Sequence, residues 1–211
     1  WESGESLSAD QSYLAVMEYS KAHRHENTTV APDVIYALLN NEDPTATKAY
    51  RFHRVNEWIP FVDYDLGRDG YAYEDRLSQN IHNEQGQWKV WNEGRKYRND
   101  GVDIGGSAGG YYVSWTEPGE WLQYTIQVPV AGEFKLEIET KGAASMLRME
   151  INDEINSAEI AINTDSENSP SEWATTTVNG IELSTGEHKI RFHIQKGAPD
   201  LRAFRLVSDL E

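Results

Sequence analysis

Glu133-Phe134-Lys135-Leu136-Glu137-Ile138-Glu139 alternates without a break, with Phe, Leu and Ile pointing one way and charged residues the other. That is the period of a strand with one face buried. His188-Lys189-Ile190-Arg191-Phe192-His193-Ile194 repeats the device. Outward from these two, short segments rich in Val, Ile, Thr, Tyr and Trp recur at the spacing of an all-β sandwich: Tyr111 to Trp115, Glu120 to Val128, Leu147 to Asn152, Ala158 to Ile162, Trp173 to Val178 and Leu201 to Val207. Turns at Val130-Ala131-Gly132, Lys141-Gly142-Ala143 and Ser184-Thr185-Gly186 join them into an antiparallel double sheet. The expectation is a mainly-β protein, a jelly-roll β-sandwich over residues 59–211, preceded by a short helical segment.

That segment, residues 1–58, has a different texture. Leu14, Val16, Met17 and Tyr19 sit amid polar residues, and Val34, Ile35, Ala37, Leu38 and Leu39 follow the start signal Pro32-Asp33. Asn41-Glu42-Asp43-Pro44 breaks the second helix, and Thr45 caps an expected third through Ala49, Phe52 and Val55. Helices this short make no core alone, so the segment reads as the tail of a preceding catalytic domain. Between the halves, Gly67-Arg68-Asp69-Gly70 and Ser78 to Gln87 read as long surface loops.

Composition narrows the partners. Nineteen Lys and Arg stand against 35 Asp and Glu, and the formal charge of −16 repels a phosphate backbone or an anionic membrane. Neutral or weakly charged partners fit better. The chain has no Cys, which excludes disulfides and thiolate chemistry. No apolar run reaches the roughly 18 residues of a spanning helix. The opening Trp1-Glu2-Ser3 carries no signal-peptide pattern and reads as a cut or processed end.

Tyr97-Arg98-Asn99-Asp100-Gly101-Val102-Asp103-Ile104, followed by Gly110-Tyr111-Tyr112-Val113-Ser114-Trp115-Thr116-Glu117-Pro118-Gly119-Glu120-Trp121-Leu122-Gln123-Tyr124-Thr125, resembles the signature of family 6 carbohydrate-binding modules, roughly YRNDGVDIE and GYNVGWTxxGEWLxYT. Trp173-Ala174-Thr175-Thr176, Leu183 to Phe192 and Asp200 to Leu206 are similar to later segments of that family. The resemblance covers about residues 60–207. It implies a sandwich whose loop end carries a cleft, where two aromatic rings hold a sugar and an Asn and an acid bond its hydroxyls. The chemistry is direct: a pyranose offers apolar C–H faces to an aromatic ring and hydroxyls to placed donors and acceptors.

Carried onto this chain, the resemblance places Trp115 at the first sandwiching position, with Tyr112 in the same strand; strand alternation allows Trp115 a core-facing reading as well. Trp173 is the second platform or a core residue, since Pro170 stands where the outer ring of that pair is expected. Asp200 replaces the ligand-binding Asn and, ionised, accepts but cannot donate. Gly105 replaces the acidic cleft residue, which leaves Asp103 or Asp100 as substitutes. Trp121 is read as a core residue, outside the site. The family also holds a structural calcium through paired Glu in a pattern like IEAEDYD; Ile59 to Asp65 lacks both, and Asp63 and Asp65 remain as candidate oxygen ligands.

Other chemistries find less support. Glu117/Glu120 and Glu150/Asp153 resemble a glycosidase's carboxylate pair, yet such pairs arise by chance among 35 acids. His23-Arg24-His25-Glu26 lacks the i, i+4 spacing of a zinc helix. Gly105 to Gly110 precedes a strand, reads as a flexible loop beside the cleft, and cradles no phosphate. The expected function is therefore non-catalytic polysaccharide binding that targets an attached glycoside hydrolase or lyase, in a secreted or cell-surface bacterial setting. The alternative is a C-terminal fragment of such a hydrolase whose sandwich is a structural spacer with a degenerate cleft. Xylan, β-glucan and agar-type galactans all suit the family, with a marine or gut bacterial galactan or β-glucan favoured.

Overall fold

The computed structural model describes residues 8–22, 43–77, 81–82, 86, 88–89, 91–107, 110–155, 159–162 and 171–208. The chain divides into two compact units, residues 1–32 and 33–211. In the first, α1 (Ala9–Ala22) starts at a reciprocal cap: the Gln11 N–H donates to Ser8 Oγ at 3.2 Å and the Ser8 N–H to Gln11 Oε1 at 2.9 Å. Asp10 in the first turn and Lys21 in the last complement the helix dipole. Leu14, Val16, Met17 and Tyr19 stand exposed on it. The second expected helix, His23 to Glu26 and Pro170 lie outside the described residues.

The second unit is the expected β-sandwich. Its short strands are β1 (His53–Arg54), β2 (Ile59–Pro60), β3 (Tyr73–Glu74), β4 (Ile81–His82), β5 (Trp88–Lys89), β6 (Ile104–Ser107), β7 (Gly110–Val113), β11 (Glu154–Ile155) and β12 (Ile160–Ile162). The long ones are β8 (Trp121–Val128), β9 (Gly132–Lys141), β10 (Ser145–Ile151), β13 (Ala174–Leu183), β14 (Gly186–Lys196) and β15 (Asp200–Ser208). One sheet runs β1-β8-β14-β10-β11, with β12 on β10 and β3 on β8; the other runs β13-β9-β15-β7-β6, with β2 on β15. β4, inside the stretch Ser78 to Gln87 read as a loop, pairs with β5 just beyond it.

The alternation that predicted the sandwich also packs it. Phe134, Leu136 and Ile138 of β9 and Ile190, Phe192 and Ile194 of β14 are buried between the sheets. At the centre, Phe61 stands within 5.2 to 5.8 Å of Tyr124, Phe192 and Phe204, joining the sheets by edge and tilted ring contacts. The Tyr124 hydroxyl, inside this apolar cluster, donates to the Phe61 carbonyl at 2.7 Å.

Three expectations are corrected. Thr45 to Val55 forms no helix: Thr45 closes a turn on Asp43, Lys48 bridges Leu66, and β1 lies parallel to β8, so this stretch joins the sandwich. Val55 is buried against the sheets, while Phe52 stands exposed, so the apolar residues there do not share the one face a helix would give them. Gly105 to Ser107 and Gly110 are paired strands of the β6–β7 hairpin, not a flexible loop. Trp121 is outside the core: Leu122, Tyr124, Ile126 and Val128 take the inner face of β8, so period-two alternation turns Trp121 outward, where its ring lies 4.8 Å from Arg191 and 6.1 Å from His193.

Candidate functional site

β7 ends at Val113, buried opposite Leu201 of β15. Ser114 then faces the outer side of its sheet, and its Oγ donates to Asp200 Oδ1 at 2.5 Å. Alternation would return the next side chain to the core. Instead Trp115 has φ +52°, a left-handed conformation that bulky side chains rarely adopt, and the indole swings out at the rim with 53% of the residue exposed. Gly94 passes beside that ring: a Cβ on it would meet the Trp115 Cζ3 at 3.4 Å and the Ile104 carbonyl oxygen at 1.9 Å. Only a residue without a side chain fits there.

On the adjoining outer face, Asp200 Oδ2 pairs with Lys141 Nζ at 3.0 Å. The same ammonium lies 4.7 Å from the Tyr112 ring and 4.9 Å from the Trp173 ring, and those two rings meet edge-on at 5.2 Å. Arg202 stacks 4.9 Å from Trp173 and is held by Glu139 through contacts of 2.8 and 2.7 Å. Tyr112 is seated by a missing side chain, because a Cβ on Gly105, its cross-strand partner, would come within 2.8 Å of its ring. The glycine that replaces the family's expected acid thus makes room for an aromatic ring.

Trp173, Tyr112 and Asp200 therefore share one patch, and Trp115 stands at the rim next to it through Ser114. Asp103 does other work. Its Oδ1 accepts the Glu93 N–H, and its carbonyl accepts the Ser114 N–H at 3.0 Å. With Asp75 and Glu120 it lines a cavity of about 10 Å³ walled by Val113, Leu122 and Ile194, room for about one water. Burial, reinforced by neighbouring acids, raises these carboxyls to about 8 for Asp75, about 7 for Glu120 and about 6 for Asp103. Asp100 is likewise engaged, accepting from Arg98 Nη2 at 2.9 Å and from the Tyr64 hydroxyl.

Lys141 and Arg202 escaped the sequence reading. For Lys141 a signal existed: it continues Lys135, Glu137 and Glu139 on the wet face of β9, one step past the quoted alternation. Arg202 sits at a β-bulge between Leu201 and Ala203, which no alternation pattern reveals.

The candidate calcium ligands do not fit a cation. Asp65 accepts the Thr125 N–H at 2.9 Å, the Thr125 hydroxyl at 2.7 Å and Gln123 Nε2 at 2.9 Å, so its lone pairs already face hydrogen donors. Asp63 takes the Tyr97 hydroxyl and lies 3.4 Å from Arg51 Nε. Among the described residues no group of three or more His, Asp or Glu is arranged to hold a metal. The acid pairs serve local structure too: Glu120 caps the Glu117 N–H at 2.8 Å, and Arg191 lies 3.9 Å from Glu150 and 2.6 Å from Asp153.

Comparison with known families matches residues 98–206, just over half of the chain, to the family described as Carbohydrate binding module (family 35). Among curated proteins none matches. Similar solved structures include a family 6 module from Clostridium stercorarium in complex with cellobiose, 11% identical, with a TM-score of 0.49, covering 75% of this chain and 98% of that one. A family 35 module from Clostridium thermocellum is 19% identical, with a TM-score of 0.44, covering 51% and 88%. A β-1,3-glucan-binding family 6 module from Bacillus halodurans is 10% identical, with a TM-score of 0.46, covering 75% and 100%.

Proposed function

The chain belongs to carbohydrate-binding module family 35, and from that premise we propose that its sandwich binds a polysaccharide without transforming it, through Trp115 at the rim and the Tyr112, Trp173 and Asp200 patch beside it. The observation that carries this reading is the Trp115 backbone. Asn56, Arg95, Tyr97, Asn152 and Asp153 share its left-handed φ, but among these residues Trp115 alone couples that conformation to an exposed large apolar ring, a costly combination of the kind held at binding sites. Trp115 supplies a flat face for a pyranose, while Asp200, fixed by Ser114 and Lys141, accepts from hydroxyls. Asp103 shapes the rim by holding Glu93, beside the glycine that lies against Trp115.

The site tethers an attached glycoside hydrolase or lyase to its substrate by raising the local concentration of one near the other. Action on polysaccharide outside the cell implies a secreted or cell-surface protein. No described helix is long and apolar enough to cross a membrane.

The test is tryptophan fluorescence during titration with soluble xylan, β-glucan and agarose oligosaccharides. A saturable shift with one class, lost in Trp115→Ala, supports the reading. A second reading, the structural spacer, is favoured by Lys141 and Arg202, which already lie against Trp173. No shift with any glycan would select it.

A further inference from the structure

The patch at Trp173 does not end there. Arg202 stacks on Trp173 and is gripped by Glu139; farther along, Arg205 stacks 4.5 Å from the Trp58 ring and is gripped by Glu137 through contacts of 2.7 Å. The same Trp–Arg–Glu arrangement thus occurs twice on the outer face of one sheet. Trp58 is 40% exposed.

Register fixes the spacing. Ala174 faces Thr140, so Trp173 lies level with Lys141; Ile59 faces Phe204, so Trp58 lies level with Arg205 and hence with Glu137. Four residues along the strands and three strand spacings from β13 to β2 put the two indoles on the order of 20 Å apart across the sheet.

We propose that this diagonal is an extended polysaccharide track: a strand of several sugar rings, anchored at the rim by Trp115 and Trp173, continues across β9 and β15 and stacks its distal ring on Trp58. Three observations select this occupant. The track is continuous with the candidate site through Trp173. Each guanidinium on it is paired with a carboxylate, so the face carries little net charge, four cations against Glu137, Glu139 and Asp200, and suits an uncharged chain better than a charged protein partner. Ion pairs held in a two-point grip keep spare N–H groups and lone pairs in fixed positions, which is what ring hydroxyls require. This inference rests on the polysaccharide-binding reading and adds to it a length requirement.

Calorimetric titration with β-glucan, xylan and agarose oligosaccharides, from disaccharide to hexasaccharide, separates the two. For the class that binds, affinity rises with length, and Trp58→Ala weakens the hexasaccharide about tenfold while changing the disaccharide less than about twofold. Trp58→Tyr restores most of the difference. Should Trp58→Ala melt early, Arg205→Gln reports the same length-selective loss, because Glu137 keeps Lys135 at 2.8 Å. Hexasaccharide affinity unchanged in Trp58→Ala but abolished in Trp115→Ala overturns the track and leaves the rim site standing. A concentration-dependent dimer lost in Trp58→Ala, with glycan affinity intact, overturns it by assigning the face to a second copy. No binding at any length overturns the polysaccharide reading itself.

Discussion

Tyr97 to Ile104 and Gly110 to Thr116 are neighbours in one sequence signature, yet the fold treats them differently. The first half turns inward. Arg98, its side chain 1% exposed, lies between the Tyr50 and Tyr64 rings at 4.3 and 4.0 Å and donates to the Tyr64 carbonyl at 2.6 Å and to Asp100 at 2.9 Å. The second half turns outward, delivering Tyr112, Ser114 and Trp115 to the rim and outer face. Both halves hold an aromatic at a left-handed φ, Tyr97 at +63° and Trp115 at +52°, but Tyr97 is tied to Asp63 while Trp115 is exposed, so the signature mixes two kinds of information: its buried charge specifies the fold, and its exposed aromatic specifies the site.

The largest expected effect breaks the inward half. Arg98→Ala strands Asp100 without its cation and empties a slot between two rings, at a cost of about 3–5 kcal/mol. Thermal melting should fall on the order of 10 °C in a chain of this size. A variant that melts within about 2 °C of the parent would show that the inward half does not hold the fold.

Next in size is Gly105→Ala, which tests where the halves touch. The added methyl meets the Tyr112 ring at 2.8 Å, so the ring must move. Overpacking costs about 1–3 kcal/mol. Displacing Tyr112 also moves it from Lys141 and Trp173, so oligosaccharide affinity should drop several-fold alongside the loss in melting temperature.

How much of this was legible in the sequence follows from the physics of each signal. Sheet faces were readable because alternation is a local, period-two property, and Phe134, Leu136 and Ile138 are buried as that period requires. Trp121 was misplaced by family expectation even though the same period, anchored on Leu122, turns it outward. Thr45 to Val55 looked helical from its apolar spacing, but Lys48 pairing with Leu66 and β1 with β8 are long-range contacts that no local window contains. In the site, alternation left Trp115 undecided between core and rim, because one left-handed φ overrides the pattern. Lys141 was within reach of the alternation; Arg202, at a bulge, was not.

Trp115 sharpens the outward half. Trp115→Ala keeps the left-handed backbone while removing the ring, so it should melt within a few degrees of the parent while losing about tenfold or more in glycan affinity. Trp115→Gly relaxes the backbone as well and should exceed Trp115→Ala in stability by about 1 kcal/mol, measured by urea denaturation. Equal stability of the two would remove the evidence that strain is held at the site.

The smallest effect concerns the cavity between the halves. Asp75 and Glu120 have folded pKa values of about 8 and about 7, above their unfolded values, so the folded state binds protons that the unfolded state does not in this range. Their charged forms therefore cost stability at about pH 8, and that cost is relieved as pH falls through their folded pKa values. In the window from about pH 8 to about pH 6.5 this contribution leads, with Asp103 of the same cavity, raised to about 6, joining at its lower end in the same direction. The window lies above the range of His193, whose pKa burial lowers, and above that of Glu137, whose carboxyl is held down by Lys135 and Arg205. Melting temperature should rise by about 3 °C across the window, and Asp75→Asn should raise it at about pH 8 and flatten the slope. Because Asn keeps an oxygen for the Leu77 N–H, which Asp75 Oδ1 accepts at 2.9 Å, the variant removes the charge and spares the turn. A slope unchanged in Asp75→Asn would place the buried charge elsewhere and make the cavity a packing defect between the two halves of the signature.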